Sequence, residues 1–398
     1  MLKTYKANIL LTFITILVTL YLCEAFLTIQ LNKKNLAHKI KIYKKKTGLD
    51  YDLRSILEIY NDEKKIDKNV TIRYSPKVLL DDNLKLSNNL YPLSGISNSK
   101  TIHCNEEGYY STFYSDRYGF NNPDKVWKNS SVNAIFIGDS FTFGDCVNRP
   151  NDIPSVIRDK TASNIINLGY RGNGPLIEYA TLREYFVKGT KNIVWIYYEN
   201  DLTDLKKEIN SQILNKYLSD RDFSQNLILR QNEINKANKE LINNLYNIGM
   251  ELDSLKQHKK NMNIKNRVLK FIRFDSLKTL IKNYSNIKDI KEKDLPLNYF
   301  SEILSEVKNF ADINNSNFYF VYMPSIKNFN NKNFENKNFL IIKNIINNLN
   351  IEFINLKDEL FDNFKDPIKF YTYEVGPHLN VEGYKEAALK IIESANLK

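Results

Sequence analysis

From Ser131 onwards the chain alternates between two patterns of apolar and polar positions. Short apolar, β-branched runs recur at residues 132–137, 164–168, 192–198, 318–322 and 351–356. Nearly continuous apolar runs of this length are what strands covered on both faces look like. Between them lie stretches of helical period, at residues 176–187, 299–314, 339–349 and 383–395. Strands alternating with helices predict right-handed crossovers and a doubly wound α/β domain over residues 131–398. Its central sheet is parallel and its sites form at the C-terminal ends of the strands. One insertion, at about residues 202–295, interrupts the alternation. It is charged, rich in Asn and Lys and mostly helical in period, as suits a lid, a partner-binding arm or a second small domain. Residues 32–130 show no sustained period of 3.6 or 2 but many turn signals, including Ser75-Pro76, Tyr91-Pro92, Ser94-Gly95 and Asn121-Asn122-Pro123-Asp124. They predict an irregular arm with short strands. Its aromatic end, residues 108–120, is too apolar for a free linker.

The N-terminus is of another kind. Lys3 and Lys6, in a short tail of residues 1–8, precede an uncharged run from Ile9 to Cys23, and after Glu24 the apolar character resumes through Leu31. At about 1.5 Å per residue, residues 9–31 are long enough for a helix to cross a hydrocarbon layer of about 30 Å. They predict a transmembrane anchor whose first partner is membrane lipid. The competing reading is a cleaved signal peptide, because Cys23-Glu24-Ala25 offers a small-x-Ala site; the apolar continuation beyond Ala25 favours the anchor.

Composition and charge then narrow the class. With 42% hydrophobic residues in 398, the chain has ample material for a core and too much for a disordered protein. The net charge of +11 invites a nucleic-acid reading. Seven lysines (33, 34, 39, 41, 44, 45 and 46) fall in the acid-free segment 31–48 and account for most of the excess. The remainder is nearly balanced and lacks a basic stripe with interleaved aromatics, so no nucleic-acid partner is expected. A basic run directly after an apolar span suits anionic headgroups. By the positive-inside rule that run puts the bulk of the chain in the cytoplasm. The cysteines point the other way: Cys104 and Cys146 are the two outside the span, and in an exported chain one such pair closes a disulfide. The plainer alternative is two unrelated buried thiols.

Four predicted strand ends carry chemistry-bearing residues. The first ends in Gly138-Asp139-Ser140, which places a hydroxyl where a strand turns into a helix, beside N–H groups able to stabilise an anion. The second is followed by Gly169-Tyr170-Arg171-Gly172-Asn173-Gly174, the third by Asn200-Asp201, and Gly376-Pro377-His378 precedes the last helix. Singly, Asp139-Ser140 and Asn200-Asp201 read as helix caps and the glycines as a tight loop. Jointly they supply a nucleophile, a base and oxyanion donors, the minimum for acyl transfer. No H-E-x-x-H, C-x-x-C, G-x-G-x-x-G or G-K-[ST] motif is present, so neither a metal nor a nucleotide cofactor is expected.

In these four blocks the chain resembles the SGNH (GDSL-type) hydrolases. The resemblance implies a three-layer α/β/α, flavodoxin-like fold and assigns Ser140 as nucleophile and His378 as base. It assigns the oxyanion hole to Ser140, Gly172 and Asn200, with Gly172 preferred to Gly169 because it lies five residues after Asn167; Asp139 and Asp201 support. The match departs from the pattern at Glu199, where a Gly usually precedes the Asn, and at Val375, where an Asp usually sits three residues before the His. Glu374 is the expected orienting acid, with Asp366 the alternative and a Ser-His dyad the fallback. Membrane-anchored members resemble this chain in residues 115–124 and in a Cys shortly after the nucleophile, which implies a Cys104–Cys146 disulfide and an extracytoplasmic (periplasmic-side) body. The expected function is a membrane-anchored serine esterase acting on an acylated envelope carbohydrate or lipid. The rivals are an O-acetyltransferase of the same chemistry and a catalytically silent glycan-binding or scaffold protein.

Overall fold

Helix α1 (Leu2–Thr47) absorbs both the apolar run and the lysine run of the N-terminus. A computed structural model describes residues 2–81, 84, 86, 90–129, 131–278, 281, 295–330 and 337–397. Within α1, Asn8–Thr28 is long and apolar enough to cross a membrane. The helix then continues beyond the span, so residues 32–47 are helical where an irregular arm was predicted. That segment has neither Gly nor Pro and is rich in Lys, a good helix former, so propensity extends the helix without an amphipathic period to announce it. It ends at Gly48, with φ +73° and an N–H donating to the Lys44 carbonyl. Glu24 is buried, and its two carboxylate oxygens accept from the N–H groups of Ser276 and Leu277 at 2.8 Å each, in the helical turn 275–278. An acid inside an apolar span is thereby satisfied by a helix N-terminus. These contacts lie within one compact unit, residues 1–51 with 247–294; the other unit is residues 52–246 with 295–398.

In the second unit, α2 (Ile56–Ile66) starts with a capping box between Ser55 and Glu58. A small sheet follows, with β1 (Thr71–Ile72) parallel to β2 (Lys100–Ile102) and β3 (Thr112–Tyr114) antiparallel to it. The chain then runs through β4 (Ala134–Gly138), α3 (Ser140–Phe143), α4 (Ile153–Thr161), β5 (Ile165–Asn167), α5 (Pro175–Tyr185) and β6 (Asn192–Tyr198). It continues through α6 (Asp201–Glu208), α7 (Gln212–Ser219), α8 (Gln231–Ile272), α9 (Leu297–Ile313), β7 (Asn317–Met323), α10 (Lys337–Asn348), β8 (Glu352–Asn355) and α11 (Val381–Ser394).

Strands β4 to β8 form one all-parallel sheet in the order β5-β4-β6-β7-β8. Alternate residues serve opposite faces. Ile135, Ile137, Trp195, Tyr197 and Phe320 pack with α5, α9 and α10, whereas Phe136, Val194, Ile196 and Val321 pack with α4 and α11. Both faces are apolar, which is why the strands read as unbroken runs. The first part of the expected insertion belongs to this body: Leu202, Leu214, Tyr217, Leu227 and Leu241 share the α5-side core. Residues 247–278 and 281 of the insertion fall in the unit with α1, and 279, 280 and 282–294 lie outside the described residues.

Residues 115–124 fasten the arm to the sheet. Buried Asp116 accepts from the N–H groups of Tyr118 and Phe120, from Trp127 Nε1 and from Asn122 Nδ2, at 2.7–3.0 Å. Asn122 then pairs with β5 as a strand would, donating to the Asn167 carbonyl at 2.8 Å and accepting its N–H at 2.9 Å. Asn121 Nδ2 donates to the carbonyl of Phe143, the last residue of α3. Gly119 has φ +86°, and a Cβ there would stand 2.2 Å from the Gly95 carbonyl oxygen, so the two loop backbones approach only because neither carries a side chain.

Candidate active site

The site is built from the end of β4. Gly138 has φ +145°, and a Cβ would meet Thr142 Oγ1 at 2.2 Å and the Ile196 carbonyl at 2.4 Å, so a glycine alone lets the strand turn directly into α3. Asp139 caps that helix by accepting the Phe141 N–H at 3.0 Å, and Ser140 becomes its first residue. Burial pushes the Asp139 carboxyl up to about 6. The Ser140 hydroxyl has one proton and two acceptors at 3.0 Å, His378 Nε2 and Asp139 Oδ2.

His378 sits in the loop before α11. The loop is pinned by a bridge between Tyr371 and Leu379 and by the Thr372 N–H donating to the His378 carbonyl. Its ring packs on Phe141, with centroids 5.2 Å apart. The other ring nitrogen, Nδ1, faces both oxygens of Glu106, at 3.0 and 3.1 Å. Ser140, His378 and Glu106 therefore stand in the order and spacing of a nucleophile, a base and an orienting acid. Glu374, the acid expected from sequence, is not beside the imidazole: it is exposed on the turn 372–374, where Tyr373 and Glu374 both adopt positive φ (50° and 61°). Asp366 is exposed as well.

Glu106 comes from the arm, in a loop held to the body in two ways. A disulfide joins Cys104 to Cys146, with Cα atoms 5.2 Å apart. Next to Glu106, the carbonyl of Glu107 accepts from Tyr373 Oη at 2.7 Å and its carboxylate from Thr372 Oγ1 at 3.1 Å. The sequence signal for Glu106 was its place two residues after Cys104. Pairing Cys104 with Cys146 brings that acid to the loop that follows the nucleophile.

A second acid was not anticipated. Asp145 is fully buried, with Oδ2 3.5 Å from His378 Nε2 and 3.0 Å from Arg171 Nη1, and Oδ1 2.7 Å from His103 Nε2. Burial alone raises a carboxyl, but the surrounding imidazoles and the Arg171 guanidinium hold Asp145 well below the ordinary range. Burial pushes His103 down to about 4. For His378 burial also acts downward, yet the Asp145 charge and the hydrogen bond to Glu106 outweigh it, leaving the imidazole above its usual 6.5. His103, Cys104 and Asp145 converge as metal ligands do, but the Cys104 sulfur is already bonded to Cys146.

Of the expected oxyanion donors, Gly172 has φ +76° in the loop after β5, and its N–H donates to nothing among the described residues. The Gly169 N–H is occupied by Asn167 Oδ1 at 2.9 Å. Asn200 precedes α6 but does not cap it; its Nδ2 donates to Asp204 Oδ2 at 3.0 Å, which uses one of the two amide hydrogens. Asp201 is buried, and its Oδ2 accepts the Tyr198 N–H at 2.9 Å, tying the end of β6 to α6; burial raises its carboxyl well above the usual range. Glu199, at the position where a glycine was expected, accepts from Tyr322 Oη at 2.9 Å.

No described protein family matches the chain, and no curated protein matches it. A solved structure titled "Structure of a putative lipolytic protein of G-D-S-L family from Desulfitobacterium hafniense DCB-2" is similar to 67% of this chain and 99% of its own length. The identity is 13% and the TM-score 0.35.

Proposed function

We propose that the chain is a membrane-anchored serine esterase of the SGNH type, built on a doubly wound α/β/α body. The observation that carries the reading is the unbroken relay from Ser140 Oγ to His378 Nε2 at 3.0 Å and from Nδ1 to Glu106 at 3.0 Å. Ser140 Oγ attacks the acyl carbon of an ester while its proton passes to His378 Nε2. The Asp145 charge and the hydrogen bond to Glu106 raise the imidazole and so favour it as the acceptor of that proton. The tetrahedral oxyanion is held by the Ser140 and Gly172 N–H groups and the spare hydrogen of the Asn200 amide. Its collapse breaks the ester bond, and the proton on His378 leaves with the alcohol. A water or a second alcohol, deprotonated by the same imidazole, then takes the acyl group from Ser140. The proposed substrate class is an acylated carbohydrate or lipid of the cell envelope. The apolar span and the Cys104–Cys146 disulfide support an anchored enzyme facing an oxidising compartment.

A fluorophosphonate probe tests this directly. Labelling of the wild type that vanishes in Ser140→Ala and in His378→Ala, and survives in Ser394→Ala, is the expected result. A folded wild type that takes no label overturns the esterase and leaves the silent binding protein in its place.

A further inference from the structure

The proposed oxyanion donors Gly172 and Asn200 follow different strands, β5 and β6, and one side chain of the arm reaches both loops. After β1 the chain makes the helical turn Pro76–Leu80, seated by buried Leu79 and by Tyr91 Oη donating to the Pro76 carbonyl at 3.1 Å. A Cβ on Gly172 would lie 2.9 Å from Ser75 Oγ and 3.5 Å from Lys77 Nζ, so this segment runs against the glycine loop. The Lys77 ammonium also pairs with Asp204 Oδ1 of α6 at 2.7 Å. The other oxygen of that carboxylate, Oδ2, accepts from Asn200 Nδ2 at 3.0 Å. An Asn just before a helix ordinarily turns its side-chain oxygen onto the N–H groups of the first turn. Asn200 makes no such cap. Its Oδ1 is shielded from solvent and accepts nothing among the described residues, while Asp204, one turn along α6, takes the nitrogen. Asp204 has Glu178, Asp201 and Glu208, all acids, within electrostatic reach, and Lys77 is the cation that pairs with it among the described residues. A buried carboxylate in such company is costly to leave without its partner.

We infer that Lys77 is a positioning residue for the oxyanion pocket: its grip on Asp204 keeps the Asn200 amide from turning back to cap α6, and its place against the Gly172 loop keeps the two donors together. Without that grip the amide is free to take the cap, which withdraws its N–H from the oxyanion. This inference rests on the esterase reading, and it gives the arm a second part in the site besides supplying Glu106.

Labelling by a neutral fluorophosphonate, followed on the full chain in detergent over a range of probe concentrations, separates the maximal rate from the concentration that gives half of it. Removing an oxyanion donor outright costs on the order of 10²–10³ in rate, which bounds the effect. Within that bound Lys77→Met should lower the maximal rate about tenfold or more, with the half-saturating concentration within about twofold of wild type. Lys77→Arg, which keeps the ion pair, should recover most of the loss. Lys77→Gln carries the same expectation as Lys77→Met and takes its place should that variant misfold. In an Asn200→Ala background Lys77→Met should cost less than about twofold, because the donor it positions is gone. An equal loss in both backgrounds marks a merely structural role and overturns the inference, as does a Lys77→Met that labels like wild type; either result leaves the esterase intact. A folded wild type that takes no label removes the esterase, and this inference with it.

Discussion

The hydrogen bond between His378 Nδ1 and Glu106 sets the tautomer that leaves Nε2 to accept the Ser140 proton. Glu106→Gln should therefore lower the rate of fluorophosphonate labelling by on the order of 10³-fold or more, since the amide can hold the wrong tautomer. Glu374→Gln, at an exposed turn, should stay within about twofold of wild type, as surface changes usually do. Equal losses in the two variants would remove Glu106 from the relay. The pH profile carries a sign. His378 must be neutral to act as base, so the rate is full above its pKa and falls as the pH drops through it. Burial lowers that pKa, but Asp145 and Glu106 stabilise the imidazolium and lift it above 6.5. Removing either charge, by Glu106→Gln or Asp145→Asn, should move the acid limb of the profile to lower pH. A limb that stays put or moves up contradicts the charge arrangement described above.

Among the elements, the parallel sheet was legible because every strand is covered on both faces and reads as an apolar run. The pairing of Ser140 with His378 was legible because the end of β4 and the approach to the last helix concentrate Gly, Asp, Ser and Asn around them. The orienting acid was not, because the arm supplies it through a covalent link, and neither periodicity nor spacing from His378 reports a contact 272 residues away in sequence. The lysine run misled for a different reason: a stretch dominated by lysine offers no apolar period to read. The arm's attachment yields two tests. Gly119→Ala places a methyl group against the Gly95 carbonyl at positive φ, and should cost about 2–4 kcal/mol of stability from backbone strain and overpacking together; an unchanged melting temperature would contradict the close approach. Reducing Cys104–Cys146 releases a crosslink spanning 42 residues, worth about 4 kcal/mol in the chain-entropy treatment. It should lower the melting temperature and slow Ser140 labelling, though by less than Glu106→Gln, because the Tyr373 and Thr372 bonds to Glu107 remain.

For the whole molecule, the lysine flank and the disulfide make opposite demands on orientation. Maleimide mapping in native membranes decides between them: Cys104 and Cys146 should become reactive only after reduction, and free thiols at both positions would place the second unit on the reducing side. Carbonate extraction should leave the full chain in the membrane and release a variant lacking residues 2–47; release of the full chain would contradict a spanning α1. The strap that brings Glu106 to the imidazole has a consequence for biogenesis. On the esterase reading, a chain not yet oxidised has the same nucleophile, base and oxyanion loop but holds its acid only through the Glu107 bonds, so it works more slowly until the crosslink closes. Oxidative sealing would then double as the step that brings such an enzyme to its full rate.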